Sequence, residues 1–252
     1  MGQLFKILTS SAWLLLGVVL TVQSASAQKR YPAIEDKWDG TDYRAVIQRV
    51  ENDGLALPTL ADAATKPVFE RMVSADNIPL HMGLNKELSV TIRFQRLDSA
   101  LDPVHKLVVL YSNEAQKGKP YAKELASLMV YEAKISGAML NLTEPLLATI
   151  EKNARYQSRV DALEKIKSDA RLLYSGLVQR MTETSFYAKP DILKMVGVAL
   201  DELRAYQPIL TNEDRQGLTQ KLAQQISATK DQELKKALTE LRDAIEHSRV
   251  RT

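Results

Sequence analysis

Apolar residues recur every three or four positions along most of this chain, which is the spacing that places them on one face of an α-helix. The first predicted helix begins at Thr41 and ends at the turn-forming sequence Asn-Asp-Gly at 52–54. Its apolar face consists of Tyr43, Val46, Ile47 and Val50. The same spacing predicts further helices over 121–142, 155–184, 191–206, 212–228 and 231–248.

The segment after the first helix is less regular, because prolines interrupt it. Pro58, Pro67 and Pro79 each remove a backbone donor and restrict the preceding residue. We therefore predict only short helices here, near 60–65 and 67–74, joined by turns.

Residues 88–111 fit two kinds of secondary structure. The sequence LSVTIRF at 88–94 alternates as a strand does, and KLVVLY at 106–111 is its only candidate partner. Helical spacing fits as well, so we predict helices, with a new one that begins at Asp102-Pro103 and runs to about 116. Pro145 likewise predicts a kink or a restart after 142.

These segments predict an all-α fold, a multi-helix bundle in one domain. An extended arm occupies 28–40, short helices and loops occupy 41–118, and long helices occupy 119–252. The sequences ALDELR at 199–204 and ALTELR at 237–242 would suit a helical-hairpin, solenoid-like arrangement toward the C-terminus. Chance is the favoured explanation of this echo, because its residues are common helix formers and no clear third copy exists.

The first 27 residues have the three parts of a secretory signal peptide. Lys6 supplies positive charge, a short apolar core follows over 12–22, and Ala25-Ser26-Ala27 is a small-residue cleavage sequence. An uncleaved anchor is the alternative, but a spanning helix needs about 20 apolar residues. We therefore expect cleavage after Ala27 and a mature chain, 28–252, that has no transmembrane anchor and is periplasmic or secreted.

Composition excludes several classes of site. The chain contains no cysteine, so disulfides, thiolate metal sites, iron–sulfur clusters and a cysteine nucleophile are excluded. The net charge is +3, and it is +2 without Lys6, the only charge in the leader. Basic and acidic residues alternate along the predicted helices instead of clustering, which argues against a nucleic-acid partner.

No motif for catalysis, cofactor binding or metal binding is present. His81, His105 and His247 are not spaced as ligands on one helix. Nucleophile elbows, P-loops and glycine-rich dinucleotide motifs are also absent. We therefore assign no catalytic, cofactor-binding or metal-binding residue, although the 31 carboxylates leave open a pair that folding brings together.

One candidate polar site does arise from the helical periodicity. The apolar faces predicted within 121–142 and 155–184 each include one charged residue, Glu132 and Lys167. In an antiparallel hairpin these residues would lie about one turn apart, close enough for a buried charge pair. The favoured alternative uses neighbouring faces that leave both charges at the solvated rim, because burial of charge is costly.

Trp38 is the only tryptophan of the predicted mature chain, and it lies in the polar sequence Asp-Lys-Trp-Asp-Gly. It is a candidate exposed aromatic that contacts a partner. The favoured alternative is a ring that folds back and covers the helical core, because large rings near a terminus usually become buried.

Two functional hypotheses follow. The leading one is an exported, non-enzymatic helical interaction or scaffolding protein of the bacterial envelope, whose partner is another envelope protein. The alternative is a carboxylate-based periplasmic hydrolase or lyase on a helical scaffold. A deep pocket with two or more buried carboxylates would favour the enzyme, whereas an open surface would favour the interaction protein.

Overall fold

The computed structural model describes residues 38–83, 88–118, 120–150 and 155–248. Of these residues 78% are helical, and no strand occurs among them. The predicted all-α bundle is thereby confirmed, and the strand alternative for the segment before residue 111 is wrong. The predicted leader and residues 28–37 of the predicted arm lie outside the described residues.

Nine helices occur in the described part of the chain. They are α1 (Gly40–Asp53), α2 (Lys66–Met72), α3 (Asn77–Met82), α4 (Val90–Gln116), α5 (Ala122–Thr149), α6 (Tyr156–Arg180), α7 (Lys189–Tyr206), α8 (Asn212–Ala228) and α9 (Gln232–His247).

Helix α5 lies at the centre of the bundle, because most of its residues between Leu125 and Leu142 are buried. It packs against α4, α6 and α7. Helices α1 and α3 pack on α4, and the hairpin of α8 and α9 packs on α7 through α9. None of the helices in the described ranges is both long enough and apolar enough to span a membrane.

Local capping explains where several helices begin and end. Thr211 and Asp214 form a capping box at the start of α8, and the side chain of Asp231 caps α9. Helix α1 is capped by Asp39 and ends at Gly54, whose φ of 66° is a left-handed conformation that glycine adopts without strain.

The prediction of short helices before residue 83 is partly wrong. Residues 60–65 form turns, in which the Asp62 backbone N–H donates to Thr59 Oγ1 at 3.0 Å without starting a helix. Helix α3 was not predicted, because it contains Pro79. This proline is the third residue of α3, where its missing N–H has no intrahelical partner to lose.

The predicted restart at Pro103 is also wrong, because α4 runs through it without a break. A proline inside a helix deprives the carbonyl four residues earlier of its usual donor. Here that carbonyl belongs to Ser99, and Arg44 Nη2 of α1 donates to it at 3.3 Å. Pro145 similarly lies inside α5, which ends at Thr149.

Candidate functional site

A cleft of about 650 Å³ lies between α4 and α6, with α5 as its floor. Helices α4 and α6 each pack on α5, but they make no extensive contact with each other in the described ranges. The surface of the cleft is mainly aliphatic, as in many ligand and partner sites. Its apolar lining includes Leu101, Val108, Met129, Met139, Ile166 and Leu173.

A histidine and a glutamate meet in this cleft. The short connection between α4 and α5 makes them antiparallel neighbours, which brings His105 opposite Glu132. His105 Nδ1 lies 2.6 Å from Glu132 Oε1. The Glu132 side chain is only 4% exposed, whereas that of His105 is 65% exposed. The pair therefore joins a buried carboxylate to an imidazole that reaches solvent.

Two atoms of this pair are left without a partner. Neither His105 Nε2 nor Glu132 Oε2 makes a hydrogen bond with another of the described residues. In its neutral form His105 can donate from Nδ1 to Glu132 and accept a proton at Nε2. The arrangement can thus bind a donor or act as a weak base.

The pKa of His105 is raised, first by its hydrogen bond to Glu132 and further by the negative charge of that carboxylate, while desolvation opposes the change. A raised folded-state pKa means that the pair stabilises the fold fully below the unfolded pKa of about 6.5 and loses this effect as pH rises through the folded value.

We therefore expect the free energy of unfolding of the wild type, relative to His105→Gln, to decrease between pH 6 and pH 9. The change should be less than about 1 kcal/mol, because His105 is largely exposed and water screens the pair. Urea denaturation of both proteins across this range measures the difference. A difference that increases with pH would contradict the assigned pairing.

One end of the cleft is acidic. Asp98 and Asp102 on α4 and Asp169 on α6 line it. Asp98 and Asp102 form no ion pair with another described residue, whereas Asp169 pairs with Lys165 at 2.6 Å. Lost hydration, followed by the negative charge of Asp102, raises the pKa of Asp98.

The opposite end of the cleft carries the one arginine that lines it, Arg180. Arg180 Nη1 lies 2.9 Å from Glu183 Oε2, so its charge is already partnered. The uncompensated charge of the cleft is therefore negative and lies at the end formed by Asp98 and Asp102.

The structure gives Glu132 and Lys167 separate partners. Glu132 lies on the buried face of α5 and bonds to His105, while Lys167 Nζ donates to Glu164 Oε1 at 2.8 Å. No hydrogen bond or ion pair links Glu132 to Lys167 within the described ranges. Lys167 is partly exposed and lines a second, polar cleft between α5, α6 and α7.

Replacement of Lys167 by methionine should therefore change the free energy of unfolding by no more than about 0.5 kcal/mol, as is usual for solvated surface residues. Thermal or urea denaturation measures this change. A loss of several kcal/mol would instead indicate that Lys167 neutralises a buried carboxylate.

Trp38 is not an exposed aromatic, because only 1% of the residue is accessible. Its ring packs edge-to-face on Tyr43 of α1, with the centroids 5.6 Å apart. Burial of this large apolar surface explains why the ring covers the core instead of facing solvent.

The cleft does not show a complete set of catalytic groups. Ser112 and Ser136 line it, but neither hydroxyl forms a hydrogen bond with His105 in the described structure. Across the described ranges, no group of three or more histidine, aspartate or glutamate side chains is arranged to hold a metal ion.

No protein-family model, curated protein or solved structure matches this chain. The function therefore has to be inferred from the cleft. The sequence prediction did not identify His105 as a partner of Glu132, although a signal was present. One predicted helix ends near 116 and the next begins at 121; His105 lies twelve residues before residue 117 and Glu132 twelve residues after residue 120, which is the symmetry of a helical hairpin.

Proposed function

We propose that this chain is an exported, non-enzymatic interaction protein of the bacterial envelope, and that it binds a partner protein in the cleft over α5. The cleft itself carries the proposal. It presents a continuous aliphatic surface with Leu172, which is 63% exposed, on its α6 side. Exposed apolar surface of this kind, rimmed by polar residues, is typical of interaction sites.

The burial of the carboxylates in the cleft also supports an interaction protein over a carboxylate-based enzyme. Of the four described carboxylates that line the cleft, only Glu132 is buried, and it is already bonded to His105. An enzyme of the carboxylate class would use two such groups with different protonation states. Among its described residues the cleft thus lacks the second buried carboxylate that would favour a hydrolase or a lyase.

Partner capture with a matched pair of variants tests the proposal. Leu172→Asp places a charge in the cleft, whereas Ile92→Asp places one at a residue of α4 that is 42% exposed and does not line the cleft. We expect a discrete envelope protein to co-purify with the wild type and with Ile92→Asp but not with Leu172→Asp. Equal capture by all three proteins would contradict the assigned site.

A second candidate function rests on the bond between His105 and Glu132. A histidine oriented by a buried carboxylate is a common general base, so a hydrolase or lyase is the alternative. In that case His105→Gln would abolish turnover of a substrate. In an interaction protein, the same variant should alter affinity without any turnover to lose.

Export is the part of the proposal that rests on the leader sequence, 1–27. Its apolar core is too short for a spanning helix and is followed by Ala25-Ser26-Ala27. We expect mass spectrometry of the protein recovered from a bacterial envelope to find Gln28, open or cyclised, at the N-terminus. An intact Met1 would contradict export with cleavage.

We also propose that any solenoid-like character is confined to the C-terminal helices. The two similar sequences lie in α7 (199–204) and in α9 (237–242), and these two helices pack against each other. A pair of related helices around α8 is compatible with one hairpin repeat, but an array needs about three repeats for stability. In that case the whole helical bundle, and not a repeat array, would provide the scaffolding surface.

A further inference from the structure

The cleft lies where one further helix could pack in the bundle. Helices α4, α5 and α6 follow one another along the chain, and α5 packs against both α4 and α6. From Asp98 to Ser112 the α4 wall extends for about 20 Å, which is roughly four helical turns. A groove above one helix and between two others is where a further helix packs in a bundle.

We propose that the occupant of this cleft is a basic amphipathic helix of the partner protein, which places aliphatic side chains on α5 and lysine or arginine side chains at the acidic end. This inference rests on the proposed function and specifies the partner's chemistry. An amphipathic helix in a hydrophobic groove is a recurrent mode of recognition.

Charge complementarity selects a basic occupant over a neutral or acidic one. Asp98 and Asp102 have no ion-pair partner among the described residues, whereas Glu132 is paired with His105 and Asp169 with Lys165. Lysine or arginine from a partner would neutralise this end of the cleft. An acidic helix would add like charges to this end and would therefore bind more weakly.

The net charge of the whole protein does not favour a basic peptide, so it cannot be the source of this preference. Without the leader the chain carries a net charge of +2, so its long-range field repels a basic peptide weakly. Preference for a basic helix must therefore come from a local acidic surface. The acidic end of the cleft is the surface to which we assign it.

Two synthetic helical peptides of 14 residues test the inference. Both carry leucines at i, i+3, i+4 and i+7 spacing, and they differ only in whether all polar positions are lysine or glutamate. Fluorescence anisotropy with the purified protein should show that the lysine peptide binds at least about tenfold more tightly. A glutamate peptide that binds equally well, or no binding by either peptide, would overturn the inference.

Matched charge variants locate the effect. Asp98→Asn combined with Asp102→Asn should reduce the preference for the lysine peptide to about threefold or less, because both free carboxylates are lost. Glu240→Gln combined with Glu246→Gln removes the same charge from exposed residues of α9 and should leave the preference unchanged. A preference that survives the first pair, or is lost in the second, would also overturn the inference.

The outcomes separate this inference from the proposed function. If both peptides bind equally and Leu172→Asp abolishes both, the cleft is an interaction site but its partner is not basic. If the protein alone dimerises through Leu172 and the lysine peptide does not compete, the occupant is a second copy and the inference fails. The proposed function fails only if capture of the envelope partner does not depend on Leu172.

Discussion

Replacement of Leu128 by alanine should destabilise the protein by about 2–5 kcal/mol, the usual cost of a buried leucine that leaves a cavity. Leu128 is completely buried in α5, the helix on which three others pack. Urea denaturation followed by far-UV circular dichroism measures the change. The loss of stability should lie near the upper end of this range if neighbouring helices cannot move into the cavity.

Leu172→Ala is the matched control for this substitution. It deletes the same atoms from a side chain that is 63% exposed, so the free energy of unfolding should change by no more than about 0.5 kcal/mol. Similar losses at Leu128 and Leu172 would contradict the central position of α5. The control also shows that Leu172 can be altered for binding studies without unfolding the protein.

The second large effect is expected at Gly40, where α1 meets α4. A Cβ atom at this position would lie 2.2 Å from Ser99 O and 2.8 Å from the Ser99 carbonyl carbon. These are backbone atoms, which cannot rotate away as the end of a side chain can. Gly40→Ala should therefore destabilise the protein by about 1–3 kcal/mol through forced displacement of α1.

Gly217→Ala provides the comparison. Gly217 lies within α8, and beyond its chain neighbours and the backbone of its own helix no described atom lies within 4 Å of the Cβ position. Alanine there should stabilise the protein by about 0.5–1 kcal/mol, because it favours the helix more than glycine does. Opposite signs at Gly40 and Gly217 would confirm the close approach of α1 to α4, whereas stabilisation by both substitutions would contradict it.

This close approach also shows why the sequence prediction at Pro103 was wrong. Local rules place a helix start at Asp102-Pro103, because proline removes a backbone donor. The structure supplies another donor, Arg44, to the carbonyl of Ser99. That donor comes from a helix about 50 residues earlier, so its contribution is a property of the tertiary structure.

Helices with a clear apolar face were predictable because their periodicity is local. Helix α8 has the predicted bounds, and α9 starts and ends within one residue of the predicted ones. By contrast, the buried cluster of Tyr43, Tyr131 and Asn77 has no local signal. The two tyrosine hydroxyls lie 2.8 Å apart, and Asn77 Nδ2 donates to Tyr43 Oη at 3.2 Å. This cluster joins α1, α3 and α5, which only the tertiary structure brings together.

The candidate site was predictable only in part. Helical periodicity offered two faces for this helix, and the favoured one, which left Glu132 at the solvated rim, is wrong because Glu132 is buried in α5. Lys167 was paired with it on the assumption that α6 supplies the counter-charge. The partner is His105 of α4 instead, since α5 has neighbours on both sides and periodicity does not specify which one a side chain faces.

Site-specific photo-crosslinking in the bacterial envelope tests the central claim most directly. A photoreactive amino acid is placed either at Leu172 in the cleft or at Ile92 outside it, in otherwise unchanged protein. We expect a single crosslinked partner from position 172, with the crosslink in a basic amphipathic helix, and no such product from position 92. The same products from both positions, or none from position 172, would contradict the assignment of the cleft as the interaction site.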